Sequence, residues 1–178
     1  MSMSHELSAP SSGQSVARHY GDLNPLHFGA LGGEEGVLRL TTCFYDRVLR
    51  DPIIEPLHAV KDREVHALRL SWYLQLFMEV STKYKEERGA FETRFQKLKD
   101  AHERARRRVQ RATAPPGAGC PGGPFTDSQR LAWKGHFMAS CEEVGLRGGI
   151  LKDFENFVDR DMPFYGPFAP DREREDQA

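Results

Sequence analysis

Apolar residues recur along this chain at helical spacing in one stretch after another. Nowhere do they alternate with polar residues for long enough to make a strand, so the pattern predicts an all-α fold. The first clear stripe is Val37, Leu40, Phe44 and Val48, beside a second line of Leu38, Tyr45 and Leu49. Two adjacent lines mean a helix buried over a wide face. It is fed by Leu31-Gly-Gly-Glu-Glu-Gly36, a tight turn whose acidic pair suits the first turn of a helix. It must stop at Arg50-Asp51, because Pro52 disfavours helix at the residue before it. Residues 51–58 then make a short irregular corner, apolar enough to pack inward.

The longest pattern covers residues 61–85, with one line of Val65, Leu68, Trp72 and Leu76 and another of His66, Leu70, Tyr73 and Phe77. Next come Phe91, Phe95 and Leu98 at i, i+4 and i+7, and the following place on that stripe is taken by His102. Its off-stripe neighbours, Arg94, Gln96, Lys97, Lys99, Asp100, Glu103 and Arg104, are charged or polar, so the helix turns one imidazole inward. An imidazole facing a core needs partners for its ring nitrogens. A core histidine with protein partners and a metal-ligating histidine both satisfy that need.

Thr126-Asp-Ser-Gln opens another helix with a ready cap, carrying Leu131, Trp133, Phe137, Met138, Cys141 and Val144. After Gly148-Gly149, a last helix runs through Ile150, Leu151, Phe154, Phe157 and Val158 and ends before Pro163. The remaining stretches have no periodicity. Residues 1–25 read as a disordered or loosely docked tail, 112–124 as a Pro/Gly-rich surface loop, and 169–178 as a charged tail. One domain over residues 26–168 is the expected organisation.

Composition narrows the picture. Lys plus Arg number 25 against 26 Asp plus Glu, so nothing here points to nucleic acid. The three cysteines, Cys43, Cys120 and Cys141, are far apart, which predicts a reducing, cytoplasmic setting rather than a disulfide framework. No apolar run approaches the roughly 20 residues of a membrane span. No isolated Cys cluster or His-x₃-His pair supplies zinc spacing. Eleven Phe, five Tyr and two Trp exceed the needs of a plain bundle and suggest a pocket walled by rings. Inward histidines on two helices, with Tyr45 and Trp133 on two more, form an inventory that a planar apolar iron cofactor would use.

These pieces, in this order, resemble the truncated haemoglobins over about residues 31–168. Gly32-Gly33, Phe44-Tyr45 and Asp51-Pro52 are similar to the family's Gly-Gly turn and first long helix; Lys99-Asp-Ala-His102 is similar to its proximal-histidine segment. Phe125, Ala132-Trp133 and Met138-Ala139 resemble the next helix, and Pro167-Phe168 the usual end. The resemblance implies a 2-over-2 helical sandwich around haem b. It implies His102 as proximal iron ligand and Tyr45 with its hydroxyl towards the distal ligand. His66 falls at the distal position and is a candidate sixth ligand. Leu70 roofs the haem one turn later, and the Trp133 indole reaches the distal pocket as in groups II and III. It implies further that His58 packs at the haem edge and that Phe44, Phe95 and Leu98 line the ring.

The function implied is reversible binding of O₂, NO or CO for sensing, scavenging or NO/O₂ redox chemistry, with dioxygenase- or peroxidase-like turnover and a reductase partner as extensions. The chain departs from the family in lacking a second Gly-Gly motif, where it reads Phe77-Met-Glu-Val-Ser-Thr-Lys-Tyr84, and in carrying the 112–124 insert. Those departures favour a second reading, a haemless globin-fold interaction protein. The inward polar rings oppose it, because a haemless core does better with apolar residues there.

Overall fold

The computed structural model describes residues 22–58, 62–88, 100, 104, 107 and 126–165. Within them are six α-helices and no strand: α1 (Pro25–Leu31), α2 (Gly33–Val48), α3 (Arg63–Phe77), α4 (Lys83–Arg88), α5 (Asp127–Glu143) and α6 (Gly148–Asp161), with short 3-10 turns at Glu55–Leu57 and Met162–Tyr165. The helix α2 is the centre: it packs most extensively on α3, then on α5 and α1, while α5 also packs on α6. Among the described residues the fold is all-α, with the α2–α3 and α5–α6 pairs packed across α2 and α5.

The stripe expected for α2 is the buried one. Val37, Leu40, Phe44 and Val48 are fully enclosed, and Leu38, Tyr45 and Leu49 are half-buried beside them. The turn before it needs its glycines: Gly32 and Gly33 both have positive φ, 87° and 78°, where a side chain would meet the backbone. Glu34 and Glu35 then sit against the helix's positive end.

Residues 22–25, read from the sequence as part of a tail, are docked on the fold. Asn24 caps α1, accepting from the Leu26 N–H at 2.9 Å, with Pro25 at the first helical position. His27 completes a capping box: its Nδ1 accepts the Asn24 N–H at 3.1 Å. The opposite ring nitrogen donates to Asp153 on α6 at 3.0 Å. Leu23 is buried, and Asp22 pairs with Arg160. At the far end, Thr126 and Gln129 form the capping box that opens α5.

The 61–85 pattern resolves into two helices rather than one. Chain direction changes after Met78, where the Val80 N–H bonds the Gln75 carbonyl and the Glu79 N–H bonds the Leu76 carbonyl, both at 3.1 Å. That is a Schellman ending, and Glu79 occupies its left-handed position with φ 59°. The turn that a Gly would have announced is thus made by a glutamate. Exposed Glu79 carries a local strain of about 1 kcal/mol. Glu79→Gly should therefore raise the unfolding free energy by roughly that amount, read as a shift of the urea midpoint at constant slope. A lower midpoint would mean that Glu79 makes compensating contacts.

The faces of α3 also differ from expectation. Val65 and Leu68 are exposed, whereas Ala67, Ser71 and Leu74 form the sealed line. Small side chains at Ala67 and Ser71 suit the close α2–α3 pairing, since interaxial distance follows the size of the contacting residues. Lys83 at the start of α4 holds its ammonium over the Trp72 ring, 5.1 Å from the centroid. His102, Phe95, Leu98 and the 112–124 insert lie outside the described residues, as do residues 1–21 and 169–178. Of the helix expected there, residues 100, 104 and 107 are helical, with Arg104 and Arg107 exposed as the charged outer face requires. Among the described residues, no helix is long and apolar enough to cross a membrane.

Candidate functional site

Three polar rings meet where α2, the 51–58 corner and the start of α3 converge. Tyr45 stacks on His66, ring centroids 5.2 Å apart and planes at 27°. His58 stands edge-on to both, 5.9 Å from Tyr45 and 5.4 Å from His66. Behind them lies a second set of rings. Phe44, one residue before Tyr45, meets Tyr45 at 5.0 Å and Trp133 of α5 at 4.8 Å, and Trp133 stacks on Phe137 at 5.4 Å. Leu70 lies half-buried one turn after His66 on the same α3 face. Of the residues singled out from the sequence, Phe44, Tyr45, His58, His66, Leu70 and Trp133 are thus gathered on one side of α2 and α3.

Helical geometry explains the convergence. Residues four apart share a face, so His66 and Leu70 look the same way from α3. Further along that face, Tyr73 and Phe77 are buried, and Phe77 meets Phe157 of α6 at 5.0 Å. The near half of the face, by contrast, retains accessible surface at His66 and Leu70.

Electrostatics sharpen the picture. Withdrawal from water pushes the Tyr45 phenol well above its ordinary range, with Arg69 opposing weakly. Tyr45 therefore remains a protonated donor throughout the physiological range. His58 donates from Nδ1 to the Ile54 carbonyl at 3.4 Å.

Burial lowers the His58 imidazole below its ordinary 6.5; the bond to the Ile54 carbonyl opposes this and His66 reinforces it. The unfolded chain accordingly takes up a proton that folded His58 resists. Stability should fall as pH drops through 6.5 towards the lowered value, because the unfolded state then binds more protons. Urea unfolding of the haem-free chain from about pH 7.5 to about pH 5 should show a steeper loss for wild type than for His58→Phe. Equal slopes would place the His58 ring in water. The Cys141 thiol, pushed up to about 12 by burial, is inert at neutral pH.

Sequence reasoning left two other histidines without a role. His27 is the buried α1 cap described above; the Asn24-Pro25 pair was the available signal. His136 donates from Nε2 to Asp51 at 2.5 Å, joining α5 to the corner that carries His58. No local pattern announces that pair. Among the described residues, no group of His, Cys, Asp or Glu side chains could by itself hold a metal ion.

The cluster fits a haem in the chemistry of its walls. Apolar and aromatic surface is offered by half-buried Leu70 and Trp133, with Phe44 sealed behind them, and a protonated donor by Tyr45. Comparisons agree. A family model described as bacterial-like globin matches residues 27–112. The fold is similar to the crystal structure of the group II truncated haemoglobin from Bacillus anthracis, with a TM-score of 0.63 and 19% identity over 86% of this chain and 97% of that one. No curated protein matches the chain.

Proposed function

We propose that this chain, a globin of the truncated type, holds haem b through His102 and binds a diatomic gas beneath the Tyr45–His58–His66 cluster. The observation that carries this reading is the meeting of Tyr45, His58 and His66 in one ring cluster on the side of α2 and α3 that keeps accessible surface at His66 and Leu70, with the Tyr45 phenol held protonated. A protonated phenol at such a surface is a donor that a bound ligand can use. Haem supplies a ferrous iron able to take O₂, NO or CO.

The protein's part is to choose and hold the ligand. Phe95 and Leu98, expected on the His102 stripe, would pack against the cofactor, and half-buried Leu70 and His58 would enclose it with Phe44 behind them. Tyr45 donates to the electron-rich outer atom of a polar ligand, and the Trp133 indole and His66 add donors from two further helices. Each hydrogen bond contributes on the order of 1 kcal/mol, more where the acceptor carries charge. Several together hold O₂ tightly. Slow release disfavours bulk transport and suits sensing, scavenging, or conversion of NO with O₂ to nitrate, for which a reductase would restore ferrous iron.

The reading is tested by adding ferric haem to the haem-free chain. A break at one haem per chain, in the Soret region and in quenching of tryptophan fluorescence together, is expected. Gradual uptake with no break would leave the Tyr45 cluster as a structural feature of an interaction protein.

A further inference from the structure

We infer that Asp51 and His136 are a positioning pair that fixes where His58 stands in the ring cluster, and thereby set how readily a ligand leaves it. The inference rests on the proposed gas-binding site, and its geometry lies outside that site. His136 is on α5, one turn after Trp133 on the same helix, and its Nε2 donates to Asp51 Oδ2 at 2.5 Å. The other carboxylate oxygen of Asp51 accepts the Ile53 N–H at 2.7 Å. The Asp51 carbonyl accepts the N–H groups of Ile54 at 3.2 Å and Glu55 at 2.7 Å. One residue thus organises the whole first turn of the corner.

The connection to His58 is short. The carbonyl of Ile54, whose N–H bonds Asp51 and whose side chain is buried, accepts from His58 Nδ1 at 3.4 Å and from the Leu57 N–H at 2.9 Å. Among the described residues the corner has a second tie to α5, a neutral and longer hydrogen bond from Gln129 Nε2 to the Ile53 carbonyl at 3.5 Å. The Asp51–His136 bond is short and charge-assisted, so it dominates the attachment. Because α5 also carries Trp133, the pair ties two walls of the cluster into one unit. Releasing it frees the corner, and with it His58, while leaving Trp133 against Phe44.

The bond to Ile54 fixes the His58 tautomer, with the proton on Nδ1, and this provides a readout that needs no haem. In the full-length haem-free chain with ¹⁵N-labelled histidine, wild type should show the Nδ1–H pattern for His58. His136→Leu and Asp51→Asn should shift it towards the averaged pattern of a free imidazole, and His136→Gln, which keeps a donor, should restore it. In the haem-loaded chain, CO dissociation should quicken severalfold in His136→Leu, with extra C–O stretching bands, and this change should vanish when His58→Leu is also present.

A folded His136→Leu chain with an unaltered His58 pattern would overturn the inference, as would a CO effect that persists without His58. If the chain takes up no haem, the proposed gas-binding function fails. The nitrogen spectrum of His58 still decides whether the pair positions it.

Discussion

Gly36→Ala should be the most damaging small change in the described part of this chain. Glycine in a helix interior normally favours replacement by alanine by about 1 kcal/mol, through chain entropy alone. At Gly36 the sign reverses. The residue is buried where the end of α1 crosses the first turn of α2, and a Cβ built there would overlap the Leu31 carbonyl oxygen and lie 2.5 Å from its carbon. Those are backbone atoms, held by the Gly32-Gly33 turn, and they cannot swing aside as a side-chain tip could. Room comes only by lifting α1, which disturbs buried Leu31, Val37 and the His27–Asp153 tie. Overpacking of this kind costs about 3 kcal/mol or more, well beyond the helix-propensity gain. For a chain of this size the melting temperature should drop by about 6–12 °C. Gly135→Ala on α5, where nothing lies within 4 Å, should instead stabilise. If both substitutions moved the melting temperature the same way, the α1–α2 crossing described here would be wrong.

Tyr45→Phe should quicken O₂ release from the haem-loaded chain by about tenfold. The change removes one oxygen atom and keeps the ring, so the stacking on His66 and the contact with Phe44 survive. What is lost is a single donor. A hydrogen bond to a ligand bearing partial charge is worth about 1.5 kcal/mol, and about 1.4 kcal/mol corresponds to a factor of ten in rate. CO, a weaker acceptor, should respond less. Because burial holds the Tyr45 phenol protonated far above neutrality, the wild-type rate should show no alkaline step from Tyr45 ionisation across the physiological range. Stopped-flow displacement of O₂ measures both points; an unchanged rate would remove Tyr45 from contact with the ligand.

Much of this architecture was legible in local sequence. The α2 stripe, the Gly32-Gly33 turn, the Thr126 cap and the stop before Asp51 each depend on residues within a turn or two of one another. Their physics is therefore written in spacing. The break after Met78 was not legible, because Glu79 occupies the left-handed position and withholds the usual glycine signal. The docked α1 was missed: Asn24-Pro25 is a cap signal inside the stretch read as a tail, and the helix's hold on the fold comes from His27 and Asp153, which lie 126 residues apart. Asp51 and His136, 85 residues apart, were hidden for the same reason. Family resemblance supplied what spacing could not: the expectation that Tyr45, His58, His66 and Trp133, from four separate segments, share one site. In the structure His58 and His66 meet Tyr45, and Tyr45 and Trp133 both meet Phe44. The exposed Val65 and Leu68 show the limit of periodicity on α3, where every face carries an apolar line and only packing decides which is sealed.

The central claim, a haem held by His102 beneath this cluster, is tested most directly by absorption spectra of the reduced, CO-saturated chain beside His102→Ala, each supplied with one equivalent of haem. Wild type should give a single sharp Soret band of a histidine-ligated ferrous–CO globin, and His102→Ala should lose or displace it. Identical spectra from the two proteins, or no stoichiometric uptake by wild type, would contradict the account.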